Sequence, residues 1–119
     1  MRRRQVVLSV LVVAVILAVA AWVRWRPLAF DSAVWKSVAG DYKSSTRYRM
    51  RESVLTLFAQ GAIRSQADAV EYLGPSDLGA GSDRWLYRLG PQFMPVDDWW
   101  LDVRFDEQGT VITYNIRAD

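Results

Sequence analysis

The chain has 119 residues, 51% of them hydrophobic and 24% charged, with a formal net charge of +2. That length allows one small domain beside a separate leader, and such a domain buries only about 60 to 65% of the surface its unfolded chain exposes, so its core must be modest. The absence of cysteine and histidine excludes a disulfide framework, a thiolate metal site, a cysteine nucleophile, thioether lipidation and the commonest general base.

The charge is unevenly placed. Residues 1–26 carry five arginines and no acid, whereas residues 27–119 carry ten basic and thirteen acidic residues. A mildly acidic domain is a poor match to phosphate backbones, so nucleic acid is not an expected partner. Val6 to Val23 is a run of eighteen residues in which only Ser9 is polar, about the minimum that crosses roughly 30 Å of hydrocarbon as a helix. Backbone groups in lipid must be satisfied internally, which again predicts a helix. Trp22, Arg24, Trp25 and Arg26 stand where the run ends and are candidate membrane-interface residues, because indoles and arginines favour that boundary. Arg2, Arg3 and Arg4 outnumber Arg24 and Arg26, which orients the N-terminus to the cytoplasm and the remainder outside it. Ala18-Val19-Ala20 has the small-x-small form of a signal-peptide cleavage site. The length of the apolar run and the arginines after it favour an uncleaved signal anchor over residues 1–26.

Residues 27–46 read as a tether with a short turn, capped by Ser32 through Trp35 and ended at Gly40-Asp41. The first soluble helix is expected from about Arg47 to Gln60, with Met50, Val54, Leu57 and Phe58 on one stripe and Gly61 as its stop. A second helix is expected over Gln66 to Leu73. Ser65 is its N-cap, Asp68 a weak capping-box partner, Ala67, Val70 and Leu73 its apolar face, and Gly74-Pro75 its end. Ser76 to Asp83 is a Gly- and Ser-rich loop.

From Trp85 the hydrophobic period falls to two. Trp85, Tyr87 and Leu89, then Trp99, Leu101, Val103 and Phe105, then Ile112, Tyr114 and Ile116 define the apolar faces of three strands. Asp106 to Gly109 makes a hairpin turn, and Gly90 to Asp98 a longer one holding Pro91 and Pro95. The expected class is α+β: an N-terminal transmembrane helix, a tether over 27–46, then a domain over 47–119 with two helices packed on one face of a three-stranded antiparallel sheet.

Gly61, Leu73-Gly74, Tyr87-x-Leu89-Gly90 and Phe105-Asp106-x-x-Gly109-x-Val111, in that order across residues 47–117, resemble the SmpA/OmlA (BamE-like) family of small bacterial envelope proteins. The resemblance implies two helices on a small antiparallel sheet and a non-catalytic role as scaffold or adaptor. The chain departs from the family in lacking the acylated cysteine of its lipoproteins, so a peptide anchor replaces the lipid. The proline usually found two residues after the Leu-Gly glycine is displaced to Pro75 or replaced by Ser76, and the turn from Gly61 to Ser65 is longer.

No catalytic, cofactor-binding or metal site is expected. Asp97, Asp98 and Asp102 form the densest acidic group and have the oxygen ligands of a hard-cation site, but the turn and an outward strand position make them solvated surface, with Arg88 or Arg104 as partners for Asp102. Asp106 to Gly109 is shorter than an EF-hand loop, and Lys43-Ser44-Ser45 lacks the spacing of a Ser-Lys site. Arg47, Arg49 and Arg51 read as a solvated face that can also reach lipid phosphates. Adjacent strand residues point to opposite faces, so with Trp99 in the core Trp100 stands outside. Trp100, Leu86 and Arg88 are therefore the candidate partner-binding residues, with the membrane and another envelope protein as expected partners. The competing expectation is a small-ligand or cation-binding domain outside the cytoplasm.

Overall fold

The computed structural model describes residues 2–41, 43–91 and 98–118, and only the backbone of Arg24 and Trp25. Its elements are helices α1 (Arg2–Trp25), α2 (Ser32–Ser37), α3 (Thr46–Arg49), α4 (Arg51–Ala59) and α5 (Gln66–Leu73), then strands β1 (Arg84–Pro91), β2 (Asp98–Phe105) and β3 (Val111–Ala118). The protein is α+β, with one long apolar N-terminal helix and one antiparallel sheet of order β1-β2-β3.

Helix α1 has 24 residues, or about 36 Å at 1.5 Å per residue. It is long and apolar enough to cross a membrane, and its apolar side chains are exposed. Its C-terminal carbonyls would be orphaned. Arg49 satisfies two acceptors there: Nη2 donates to the Val23 carbonyl at 2.9 Å and Nε to that of Arg26 at 2.9 Å. The Leu28 amide donates in turn to the Arg49 carbonyl at 2.8 Å. Arg49, expected on a solvated face, is thus a clasp between α1 and the body.

The stretch expected to be a tether supplies a fully buried aromatic. Asp31, not Ser32, caps α2, accepting from the Val34 amide at 3.2 Å, while the Ser32 hydroxyl donates to the Tyr72 carbonyl at 2.7 Å. Trp35 is fully buried, packs between Phe30 and Tyr87, and donates from Nε1 to the Leu73 carbonyl at 3.1 Å. Leu28 and Phe30 pack against the same core.

The helix expected over 47–60 breaks at Met50. The Met50 amide is shared between the carbonyls of Thr46 and Arg47, a tightened last turn, after which α4 restarts. Met50, Val54 and Phe58 are buried as their spacing predicts, and Leu57 is half-buried. Helix α5 has the expected bounds, with the Ser65 hydroxyl accepting from the Asp68 amide at 3.2 Å. Its buried face differs. Ala69 and Leu73 are inside with Tyr72 half-buried, and Ala67 and Val70 are exposed. Tyr72 lies 6.4 Å from Phe30, so the larger aromatic turns the helix toward the segment that holds α2.

Trp85, Tyr87, Leu89, Leu101, Val103 and Phe105 are buried with the helix residues in one core. The third strand departs from expectation: Ile112 is 61% and Tyr114 36% exposed. The register skips between Arg104/Phe105 and Thr113/Val111, leaving Ile112 as the extra residue of a bulge. The last hairpin forms as expected, the Asp106 carboxylate accepting from the amides of Gln108 and Thr110 at 3.0 and 2.8 Å. Most of the turn between β1 and β2, with Pro95 and Asp97, lies outside the described residues.

A second register shift falls between Arg88 and Gly90, where φ of Gly90 is +97° and an added Cβ would meet the Ser44 carbonyl. Gly90→Ala should therefore cost about 2 kcal/mol or more. Gly81→Ala, where a Cβ would meet nothing within 4 Å, should change stability by less than about 0.5 kcal/mol. Urea unfolding of the detergent-solubilised full chain, followed by tryptophan fluorescence, measures both.

Candidate functional site

Directly opposed residues of an antiparallel sheet share a face. The register therefore assembles three rows on the side away from Tyr87 and Leu101: Arg88–Trp100–Arg117, Leu86–Asp102–Asn115 and Arg84–Arg104–Thr113. The three candidate partner-binding residues lie together there. Trp100 and Leu86 are half-buried, and the Arg88 guanidinium stands 5.9 Å from the Trp100 ring centroid. Leu86 is also held from the far edge of β1, where it forms an antiparallel bridge with Leu78.

Asp102 is only 4% exposed although its position alternates outward. Arg84 clamps it with Nε at 3.1 Å and Nη2 at 2.9 Å, and Arg117 Nε lies 3.7 Å away. Its partners are thus Arg84 and Arg117, not Arg88 or Arg104. Arg84 sits directly opposite Arg104, a repulsive cross-strand pair, and it reaches diagonally to the carboxylate instead. Arg88 is committed to Asp98, both of whose oxygens accept from Nη2 at 2.7 Å. The two described aspartates of the acidic group are therefore bound to arginines. Among the described residues no cluster of three or more candidate ligands is arranged to hold a metal ion.

A second polar group is internal. Arg47, expected on a solvated face, is 4% exposed. Its Nε donates to the Trp35 carbonyl at 2.9 Å, Nη1 contacts Asp77 at 3.1 Å, and the guanidinium lies 4.7 Å from the Trp35 ring centroid. Burial lowers its pKa and Asp77 opposes that shift, so the group remains a cation at any ordinary pH. The Tyr87 hydroxyl donates to the Gly74 carbonyl at 2.9 Å, and burial, reinforced by the Asp77 charge, pushes its pKa far above the ordinary phenol value. Neither group is a nucleophile or a base. A small cavity of about 20 Å³ touches Arg47, Asp77, Arg88 and Gly90, room for about one water and not for a substrate.

At the α1 end, Trp22 is exposed and the Arg26 guanidinium lies 5.7 Å from its ring. The side chains of Arg24 and Trp25 lie outside the described residues. Arg51 covers the Tyr48 ring at 4.0 Å and donates to the Tyr48 carbonyl, so of the three helix arginines only Arg47 is lost wholly from the surface. Arg84 and Arg117 were the residues of the outer face left unassigned by the sequence. Extending the period-two count one step beyond each strand places both on it.

The Asp102 network should respond unequally to truncation. Asp102→Ala, which leaves two arginines facing each other across the sheet, should cost about 1–3 kcal/mol, less where water already reaches Arg84. Asp98→Ala should cost under about 1 kcal/mol, because Asp98, unlike Asp102, is open to solvent and Arg88 is partly so. Denaturant midpoints of the two variants at one salt concentration make the comparison. In comparisons with family models, curated proteins and solved structures, nothing matches this chain.

Proposed function

We propose that this chain is a membrane-anchored, non-catalytic interaction module of a bacterial cell envelope, and that the Trp100 row of the sheet is its contact surface. Helix α1 is an uncleaved single-pass anchor in the cytoplasmic membrane, with Arg2, Arg3 and Arg4 inside and the body in the periplasm or outside the cell. The charge difference across α1 supports that orientation, and the Arg49 clasp supports a body carried directly on the anchor. In this reading α4 and α5 form a layer over the apolar face of the sheet, as in SmpA/OmlA-like proteins. The stacking of Phe58 on Tyr114, with centroids 4.8 Å apart, favours that layer.

One observation carries the functional reading. Trp100 is held half-exposed between Arg88 and Arg117 on the sheet face opposite the core, and tryptophan and arginine are the residues most often dominant at protein interfaces. Asp98 and Asp102 are paired with arginines, and the Tyr87 hydroxyl donates to the Gly74 carbonyl. Among the described residues, the same pairing takes Asp98 and Asp102 out of the small-ligand or cation-binding alternative.

Crosslinking in intact membranes tests the surface. A heterologous crosslinked species should form with the natural chain and fall at least about fivefold with Trp100→Ala. An unchanged yield would remove the Trp100 row from the interface. Recovery of the full chain from the cytosol, or of a freely diffusing form beginning near Trp22, would remove the anchor and the role derived from it.

A further inference from the structure

Strand β3 is the outer strand of the sheet, with β2 on one side only. Among the described residues its other edge is engaged just at the start, where Ser65 bridges Thr110 and the Val111 amide donates to the Arg64 carbonyl at 2.8 Å. From Ile112 to Ala118 no described segment pairs with it. The opposite edge of the sheet is guarded by the Leu78–Leu86 bridge and by Pro91. Proteins commonly blunt a bare edge with lysine, proline or shortening. Strand β3 has eight residues, no lysine and no proline, and Arg117 is its single charge.

The two faces of that edge differ in chemistry. Exposed Ile112 and Tyr114, with half-buried Ile116, continue the apolar side. On the other side Thr113, Asn115 and Arg117 line a shallow depression together with Asp102 and Arg104. Arg104 is exposed, stands opposite the like charge of Arg84, and makes no ion pair among the described residues. The outer face holds four arginines against Asp98 and Asp102, although residues 27–119 as a whole are net acidic. Arg84 and Arg88 lie on β1 and are paired with Asp102 and Asp98, so the positive charge nearest the β3 edge is that of Arg104 and Arg117.

We propose that the free edge of β3 accepts an extended segment of another protein, with acidic residues alternating with apolar ones. Main-chain hydrogen bonds extend the sheet by one strand. The period of two sends the segment's carboxylates toward Arg104 and Arg117 and its apolar side chains toward Ile112 and Tyr114. Charge selects this occupant over a second copy of the chain: the outward positions of β3 are Thr113, Asn115 and Arg117, which would bring no carboxylate to Arg104. The inference rests on the reading of the protein as an interaction module and names the chemistry of its partner.

The test uses the full chain in neutral detergent micelles and three eight-residue peptides: alternating Glu and Val, alternating Lys and Val, and the Glu-Val peptide N-methylated at alternate residues. The Glu-Val peptide should bind with an affinity that falls as salt rises. The Lys-Val and N-methylated peptides should not bind, and Arg104→Gln should weaken the Glu-Val peptide about tenfold. Equal binding of the N-methylated peptide would show anion capture without strand addition and overturn the proposal, as would binding of both charge types or of neither. Retention of the protein by phosphatidylglycerol-containing micelles, with no peptide bound, would assign the arginines to lipid headgroups and overturn it as well. So would a concentration-dependent dimer abolished by Ile112→Lys. If membrane crosslinks vanish with Trp100→Ala but persist with Arg104→Gln, the module stands and strand addition at β3 falls.

Discussion

A guanidinium inside the core sets the terms for the body of this protein. Removing an arginine from water costs several kcal/mol unless its charge and its donors are met. Arg47 meets them with the carboxylate of Asp77, the carbonyl of Trp35 and the face of the Trp35 ring. Asp77 has a second obligation, since it also accepts the Arg88 amide at 2.7 Å. One ion pair therefore fixes α2, α3, the loop after α5 and the middle of β1 relative to one another. Each of those pieces is short. None has enough apolar area of its own to be placed without the others.

The sheet repeats the same device on its other side. Asp102 is buried beneath Arg84 and Arg117, one from each flanking strand, so the outer face is stitched by charge where the inner face is filled by Tyr87, Leu89, Leu101 and Val103. This division explains why the polar face is both ordered and accessible. Its carboxylates are consumed by structure, and the arginine side chains and Trp100 remain at the surface.

Elements governed by local chemistry were legible in the residues. The purity of Val6–Val23 announces α1, Ser65 and Gly74 mark the ends of α5, and period-two alternation locates β1, β2 and β3 within two residues. The features that escaped depend on distant parts of the chain. Nothing near Trp35 shows that Leu73 and Tyr87, far along the sequence, will enclose it. Arg47 and Arg49 look like surface charge because their partners, Asp77 and the carbonyls of α1, are remote. The alternation of Ile112 and Tyr114 predicts burial, but an edge strand with a bulge is covered on that face only in part: Phe58 stacks on Tyr114, and Ile112 stays exposed. Ala67 and Val70 fit an apolar stripe equally well until Phe30 arrives beside Tyr72. On the candidate site, the opposed faces of Trp99 and Trp100 were readable from parity alone. The pairing of Asp102 was not, since a diagonal contact requires the register.

The clasp made by Arg49 has a geometric consequence. Between the last carbonyls of α1 and the first anchored amide of the body, at Leu28, only Pro27 is unheld by these contacts, and proline is the stiffest link a chain can offer. A long flexible leash would let a domain sweep a wide volume. Here the hydrogen bonds of Arg49 and the amide of Leu28 hold the body close to the end of its rod. With α1 in a bilayer, whatever meets the sheet must itself come down to the membrane surface.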